Sequence, residues 1–545
     1  MGGVIRMAVA CVVMLAVGPG TAAADEHWEL LIGGAVAGSE SVTEEADGLS
    51  GAGGFTFQGT RITTTWRITL DPAGAPRYAL SLVAPGAKVA ISSASAGTSL
   101  ALTITQNGAV AGTRSFTSSP SLVILDNNVF GQYRQLARLL SPDGPASVKV
   151  DMLVPQALAV IALEAVRLPG TWRWSADGAS GAAVQWEMTS PTPLLVKVWQ
   201  DIASGRIVQV EMPSARTVAR VAGAALVAEP GAAPIPPAYL ATQVESKNLT
   251  IVSGAFRLGA TITRPTGATG RLPGVVIVGG SGPTDRDGSI GGVKVYRDLA
   301  VGLAAKGFVA LRFDKRTYAY RGDLAALDAD SMGLREEYLD DTAAALRLLA
   351  ADPWVDAARL SLAGHSLGAW VLPLVVASLG TDAGLAKHLV LIAPQGRDMG
   401  VTLLRQLRYR LSLTPGVTEL ERMIADADAA FAVYRCTGRM RDPVLGAGAA
   451  YWQDVLDADP IGAAARLSVP TTIMRGAKDF QIDASDLADW RQALGAAPNV
   501  ELLTLDSLNH LLVDVPEGPS TGVEYYREGW VAPAAIEAVA AGLAR

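Results

Sequence analysis

Two regimes of hydrophobic patterning divide the chain. From Trp28 to about Val221 the period is mostly two: Trp66, Ile68 and Leu70 alternate with Arg67 and Thr69, and Tyr78, Leu80 and Leu82 alternate with Ala79 and Ser81. Leu100, Leu102 and Ile104 continue it, as do Val184, Trp186 and Met188, then Val208, Val210 and Met212. Alternation of this kind predicts half-buried antiparallel strands, and Asn107-Gly108 predicts a hairpin turn. One helix is expected to interrupt the strands, capped by Asn128 and carrying Val129, Tyr133, Leu136 and Leu140 on one face. The tryptophans at 66, 172, 174, 186 and 199 suit the core of such a domain, with a ligand groove as the alternative.

Residues 226–240, with Pro230, Pro234, Pro236 and Pro237, read as a stiff linker between a β-rich domain over 25–225 and a second domain over 241–545. Beyond it short apolar runs alternate with helical stretches. The runs at Val275–Val278, Phe308–Leu311, Leu360–Ala363, Leu389–Ile392, Thr471–Met474 and Leu502–Leu505 suit strands buried on both faces. Between them, Glu337 to Leu349 places Tyr338, Thr342, Ala345, Leu346 and Leu349 on one helical face. This alternation predicts an α/β domain with a mostly parallel sheet and helices on both sides.

Length favours two domains, since 545 residues exceed what one hydrophobic core organises. A net charge of −7 with no basic stripe argues against a nucleic-acid binder. Residues 1–24 combine Arg6, an apolar run from Met7 to Val17, a Gly-Pro-Gly break and Ala22-Ala23-Ala24, which predicts a secretory signal and a secreted or periplasmic protein. No stretch is long enough to be an integral membrane span. Cys11 falls inside the apolar run, which continues past it and so reads against lipidation; Cys436 is then the one cysteine expected in the mature chain, which would have no intramolecular disulfide.

Candidate chemistry centres on Gly364-His365-Ser366-Leu367-Gly368, a G-x-S-x-G between an apolar strand and an apolar helix starting near Val371. The serine of such an elbow takes a strained conformation, and its neighbours are small because strand and helix pass close together. A second G-x-S-x-G, Gly518-Pro519-Ser520-Thr521-Gly522, lacks the strand and the helix and reads as a loop. A nucleophilic serine needs a base and an acid that orients the base. Of the four histidines, His27 lies at the mature N-terminus, His388 precedes a core strand and His365 should point away from the serine oxygen. His510, in a loop after the last apolar run, is the candidate base. Asp479, in the first turn after Thr471–Met474, is the candidate acid, with Asp483 as its rival. Two amides should face the developing oxyanion: that of Leu367, and that of Ser281 in the glycine-rich loop Gly279 to Gly288. That loop has no G-K-S/T and no G-x-G-x-x-G, so neither a phosphate cradle nor a nucleotide cofactor is expected, and no metal ligand set is read.

The order Ser366, Asp479, His510 resembles the α/β-hydrolase fold. More narrowly, Gly280-Ser281-Gly282-Pro283-Thr284-Asp285-Arg286-Asp287-Gly288, Asp314-Lys315-Arg316 and Leu508-Asn509-His510 resemble bacterial serine hydrolases grouped with dienelactone hydrolases, acyl-CoA thioesterases and serine aminopeptidase-like enzymes. The pattern departs at Gly279, where many relatives have histidine. The resemblance implies a helical cap inserted at about 397–468, with Met423, Phe431, Tyr434, Tyr451 and Trp452 lining an acyl pocket or packing the cap. The expected function is cleavage of carboxylic esters through an acyl-enzyme. A peptidase or thioesterase on the same triad, and a catalytically silent binding protein, are the alternatives.

Overall fold

The computed structural model describes residues 26–545 apart from 58, 71–75, 97, 127–128, 191–193, 324–326, 328–331, 397, 415–416 and 516–517. The expected leader, residues 1–24, and the expected cap residue Asn128 lie outside the described residues. The chain divides into two compact units, Met1–Pro234 and Ile235–Arg545.

In the first unit the period-two segments form a single sheet. From Ala35–Glu45 to Ala109–Thr117 each strand pairs antiparallel with the next, and Glu26–Ile32 joins this meander to the later strands by pairing with both Ala35–Glu45 and Thr217–Val221. Asn107 and Gly108 both take positive φ, 51° and 84°, at the turn where Gln106 faces Ala109, the backbone twist a two-residue hairpin requires. The inward-facing positions Trp66, Ile68, Tyr78, Leu80, Leu100 and Leu102 are buried in one core. The expected helix is present only as a 3₁₀ segment, Gly131–Arg138. Its side-chain amides compete with a longer α-helical ladder: Gln132 Nε2 donates to the Val129 carbonyl at 2.8 Å and Gln135 Nε2 to those of Ile124 and Gln132 at 2.8 and 3.1 Å. Tyr133, Leu136 and Leu140 nevertheless enter the core. The tryptophans pack as well. Trp66 Nε1 donates to Glu40 at 2.6 Å and Trp186 Nε1 to Gln200 at 3.1 Å, while Trp172 meets Trp199 edge to face in a small separate cluster.

The expected linker is part of both units. Ala225–Ala228 is a strand paired with Trp172–Ala176, and Ala238–Ala241 is a 3₁₀ turn whose Tyr239 hydroxyl donates to the Val531 carbonyl at 2.7 Å.

The second unit is built on a sheet whose strands we number β1 (Val244–Ser253), β2 (Phe256–Pro265), β3 (Leu272–Val278), β4 (Val309–Phe313), β5 (Val355–His365), β6 (Ala386–Ile392), β7 (Thr471–Gly476) and β8 (Val500–Leu505). Their spatial order is β1-β2-β4-β3-β5-β6-β7-β8. The pairs from β4 to β8 are parallel; β1–β2 and β2–β4 are antiparallel. β3 to β8 are the six apolar runs of the sequence. Fully burying each of their Val, Leu and Ile side chains contributes about 1.5–3 kcal/mol. The β1–β2 hairpin was not anticipated, because its alternation is broken by Lys247 and Asn248 and its turn is carried by Gly254 alone (φ +56°).

Helices α1 (Val295–Ala305), α2 (Asp341–Ala350), α3 (Leu367–Ser378), α4 (Met399–Leu413), α5 (Thr418–Thr437), α6 (Ala449–Asp457), α7 (Pro460–Ala464), α8 (Ala484–Leu494) and α9 (Pro533–Leu543) complete the unit. α2 is preceded by a π-helical turn, Arg335–Asp340, which brings Tyr338 and Glu337 inward. α4, α5 and α6 occupy the long excursion between β6 and β7, and their Leu404, Phe431, Trp452 and Val455 join the core on one face of the sheet.

Candidate active site

Ser366 stands between β5 and α3 with φ +57° and ψ −126°, a conformation few L-residues adopt. The strain is held in place from several sides. Its amide donates to the Ile392 carbonyl of β6 at 2.8 Å, and its carbonyl accepts from Ala369 and Trp370 at 2.9 and 3.0 Å. A Cβ on Gly364 would lie 2.5 Å from the Gly368 carbonyl, and one on Gly368 only 2.3 Å from the Gly279 carbonyl. The spacing of the motif therefore follows from the close crossing of strand, helix and the loop after β3.

β7 ends at Gly476, and a tight turn follows in which the Asp479 amide donates to the Gly476 carbonyl at 3.3 Å. The loop after β8 packs directly on that turn, since the Lys478 amide donates to the Leu508 carbonyl at 3.0 Å. Within the loop, Asn509 Oδ1 accepts from the amides of Leu511 and Val513 at 3.0 and 3.1 Å, which fixes the backbone around His510. The result is a buried pair with His510 Nδ1 2.7 Å from Asp479 Oδ2. Asp479 Oδ1 accepts from the amides of Gln481 and Ile482 at 2.8 and 2.9 Å, so the carboxylate is fully engaged. Because a carboxylate only accepts, His510 Nδ1 carries a proton and donates it to Asp479.

Asp483 is placed elsewhere. It is the N-cap of α8, accepting from the Ser485 amide at 2.7 Å, with Asp486 closing a capping box. His27 meets Ser41 in the first unit, and His388 lies on β6 with Nδ1 3.3 Å from Ser361 Oγ. Ser520 sits in a loop and donates to Glu524. His365 is buried beside His510, with ring centroids 4.8 Å apart and its Nε2 2.8 Å from the His510 carbonyl oxygen. Burial first, then the neighbouring His510, pulls its pKa down to about 3, so the imidazole is neutral.

Leu367 is the first residue of α3, where helix amides have no intrahelical acceptor. The loop after β3 comes close on the other side: a Cβ on Gly280 would lie 3.1 Å from Ser366 Cβ. Ser281 follows directly. Its peptide plane is gripped through the Gly280 carbonyl, which accepts from Lys315 Nζ and from the Tyr338 hydroxyl, both at 2.9 Å. In a trans peptide the carbonyl and the next N–H point in opposite directions, so this grip also sets the direction of the Ser281 amide.

The segment around Asp314-Lys315-Arg316 braces the same loop. Arg286 binds Asp314 through its amide at 2.7 Å and its guanidinium at 2.6 Å, and Arg312 Nε donates to Asp287 at 3.1 Å. Arg316 donates to the buried Asp341 of α2 at 2.9 and 2.5 Å. Lys315 itself is buried, with Glu337 Oε1 3.2 Å away. Burial lowers its pKa below the ordinary lysine value, and the Glu337 carboxylate opposes that shift. Lys315, Tyr338 and Tyr296 did not emerge as site residues from the sequence; the D-K-R triplet was the one signal that pointed toward them.

No protein-family model matches the chain. It is 33% identical to esterase EstD of Thermotoga maritima over 300 residues, which make up 54% of this chain and 66% of that esterase. The chain belongs to the α/β-hydrolase superfamily. Its second unit carries the strained strand–turn–helix elbow at Ser366 after β5, in a sheet ordered β1-β2-β4-β3-β5-β6-β7-β8. Similar solved structures include Est1E from Butyrivibrio proteoclasticus, at 15% identity and TM-score 0.34 over 48% of this chain and 90% of that one. Another is a putative dienelactone hydrolase from Klebsiella pneumoniae, at 18% identity and TM-score 0.33 over 56% and 99%. Among the described residues of this α/β-hydrolase, no group of three or more His, Cys, Asp or Glu is arranged to hold a metal ion, and no helix is long and apolar enough to cross a membrane.

Proposed function

We propose that the protein is an exported serine hydrolase that cleaves carboxylic esters through an acyl-enzyme on Ser366. The observation that carries this reading is the buried Asp479–His510 pair at 2.7 Å, packed through His365 against an elbow whose serine sits at φ +57°. Kinship with an esterase supports the choice of substrate class, and the leader-like residues 1–24 support export.

In the proposed reaction His510 Nε2 takes the Ser366 hydroxyl proton as the oxygen attacks the ester carbonyl. Asp479 stabilises the imidazolium that forms. The oxyanion of the tetrahedral intermediate accepts from the amides of Leu367 and Ser281. As the intermediate collapses, the C–O bond to the alcohol breaks and the imidazolium returns its proton to the departing oxygen. Water then attacks the acyl-enzyme with His510 again as base, releasing the acid and restoring Ser366. α4, α5 and α6 act as the cap over this chemistry. Phe431 and Trp452 serve as cap packing, since both are buried with ring centroids 5.3 Å apart.

The test is a panel of p-nitrophenyl esters and aminoacyl p-nitroanilides on the purified mature protein. Short-chain esters are expected to exceed the anilides in kcat/KM by about a hundredfold or more, because only the substrate class separates these acyl-transfer reactions on one triad. Anilides turned over faster than esters would make the protein a peptidase.

A further inference from the structure

The base and the oxyanion loop come from opposite ends of the unit, yet a continuous hydrogen-bonded path joins them. The Gly280 amide donates to the Tyr296 hydroxyl oxygen at 2.8 Å. That oxygen lies 3.4 Å from His365 Nδ1, and His365 Nε2 lies 2.8 Å from the His510 carbonyl oxygen. The direction of each bond is determined. A carbonyl oxygen only accepts, so His365 carries its proton on Nε2, and a neutral imidazole then has a lone pair on Nδ1. Tyr296 therefore donates its hydroxyl proton to His365 while accepting from Gly280. The path reads Gly280 N–H to Tyr296 O–H to His365 N–H to His510 carbonyl.

Both participating side chains are buried, Tyr296 at 3% and His365 at 2% exposure, and neither takes part in the chemical steps. Burial pushes the Tyr296 hydroxyl up to about 12, so it stays protonated and able to donate. Tyr296 stands in the first turn of α1, and His365 is the last residue of β5. With Lys315 and Tyr338 on the Gly280 carbonyl and Tyr296 on its amide, Gly280 is held through both polar atoms of its backbone. Ser281 follows it, so its amide inherits that placement.

We infer that Tyr296 and His365 are positioning residues that hold the oxyanion loop and the His510 loop in one fixed relation to Ser366. The inference rests on the ester-hydrolase reading above. It assigns a purpose to the histidine in G-H-S-L-G that the triad leaves without one. Deleting the Tyr296 hydroxyl leaves the Gly280 amide without its acceptor and His365 Nδ1 without its donor, inside a buried site where water does not replace them at no cost. Loop displacement of well under an ångström then affects the transition state more than the bound ester.

The experiment measures kcat, KM and inhibition by an alkyl trifluoromethyl ketone, which forms a tetrahedral adduct at a serine. The proteins are wild type, Tyr296→Phe, His365→Ala, His365→Gln and Ser366→Ala, each with its thermal midpoint and circular dichroism. Tyr296→Phe is expected to lower kcat by about ten- to a hundredfold, to leave KM within about twofold, and to weaken the ketone by the same factor as kcat. His365→Gln, whose amide reaches the His510 carbonyl, should recover at least about tenfold over His365→Ala. A loss of stability alone would not produce the matched fall in kcat and ketone affinity. The relay is overturned if folded Tyr296→Phe keeps kcat and ketone affinity within about threefold of wild type while Ser366→Ala is inactive. Should Tyr296→Phe fail to fold, equal activity of the His365→Gln and His365→Ala proteins overturns it instead. Activity persisting in Ser366→Ala removes the reading beneath the relay and the relay with it.

Discussion

Replacing Ser366 with alanine is expected to lower kcat for ester hydrolysis by about four to six orders of magnitude, with far-ultraviolet circular dichroism unchanged. The side chain lost is one oxygen, and the backbone conformation at +57° is maintained by the Ile392 carbonyl and the first turn of α3 rather than by that oxygen. The remaining activity is what the oxyanion amides and substrate binding supply without a nucleophile, about a thousandfold to ten-thousandfold over water. A loss below tenfold would mean that the acyl group is carried elsewhere.

Asp479→Asn is expected to lower kcat by about ten-thousandfold. Its Oδ1 position still accepts from the Gln481 and Ile482 amides at 2.8 and 2.9 Å, so the turn survives the change. The Oδ2 position becomes an amide donor facing His510 Nδ1, which forces the imidazole proton to Nε2 and leaves Ser366 without a base. Asp483→Asn provides the contrast. Asparagine caps a helix about as well as aspartate, so α8 keeps its N-cap and kcat falls by less than about tenfold. The check is kcat/KM of both single variants and the double variant on one activated ester, with circular dichroism. A crippled Asp483→Asn beside a near-normal Asp479→Asn would reverse the assignment.

What could be read from the sequence was whatever depended on near neighbours in the chain. The apolar runs within β3 to β7 are buried, so each is written as a short continuous apolar stretch; β8, at the edge of the sheet, is only half-buried although its run Leu502–Leu505 reads the same. The elbow compresses strand, turn and helix into a few residues. Asp479 is preferred over Asp483 in the sequence because it falls in the first tight turn after a strand; that Asp483 caps α8 is visible only in the structure. The β1–β2 hairpin is illegible because Lys247 and Asn248 break the alternation of β1 and a single glycine, Gly254, marks its turn. The 3₁₀ segment at Gly131–Arg138 was read as a full helix because i, i+3 and i+4 burial is shared by both geometries, and the glutamine bonds that shorten it reach 11 residues away to Ile124. The support of the loop at Gly279 to Gly288 is the least legible part. Tyr296, Lys315 and Tyr338 reach Gly280 across 16, 35 and 58 residues, and each, taken alone in the sequence, reads as an ordinary core or surface side chain. His365 looked redundant for the same reason, since its partner carbonyl lies 145 residues downstream.

Covalent trapping tests most directly whether Ser366 carries the acyl group. The purified protein is treated with a p-nitrophenyl dialkyl phosphate, which leaves its phosphoryl group on an activated serine as p-nitrophenolate departs, and is then followed by intact mass and peptide mapping. One adduct per chain is expected, on the peptide bearing Ser366, formed at the rate at which ester hydrolysis is lost and absent from Asp479→Asn on that timescale. An adduct on Ser520, or complete inactivation with Ser366 unmodified, would contradict it.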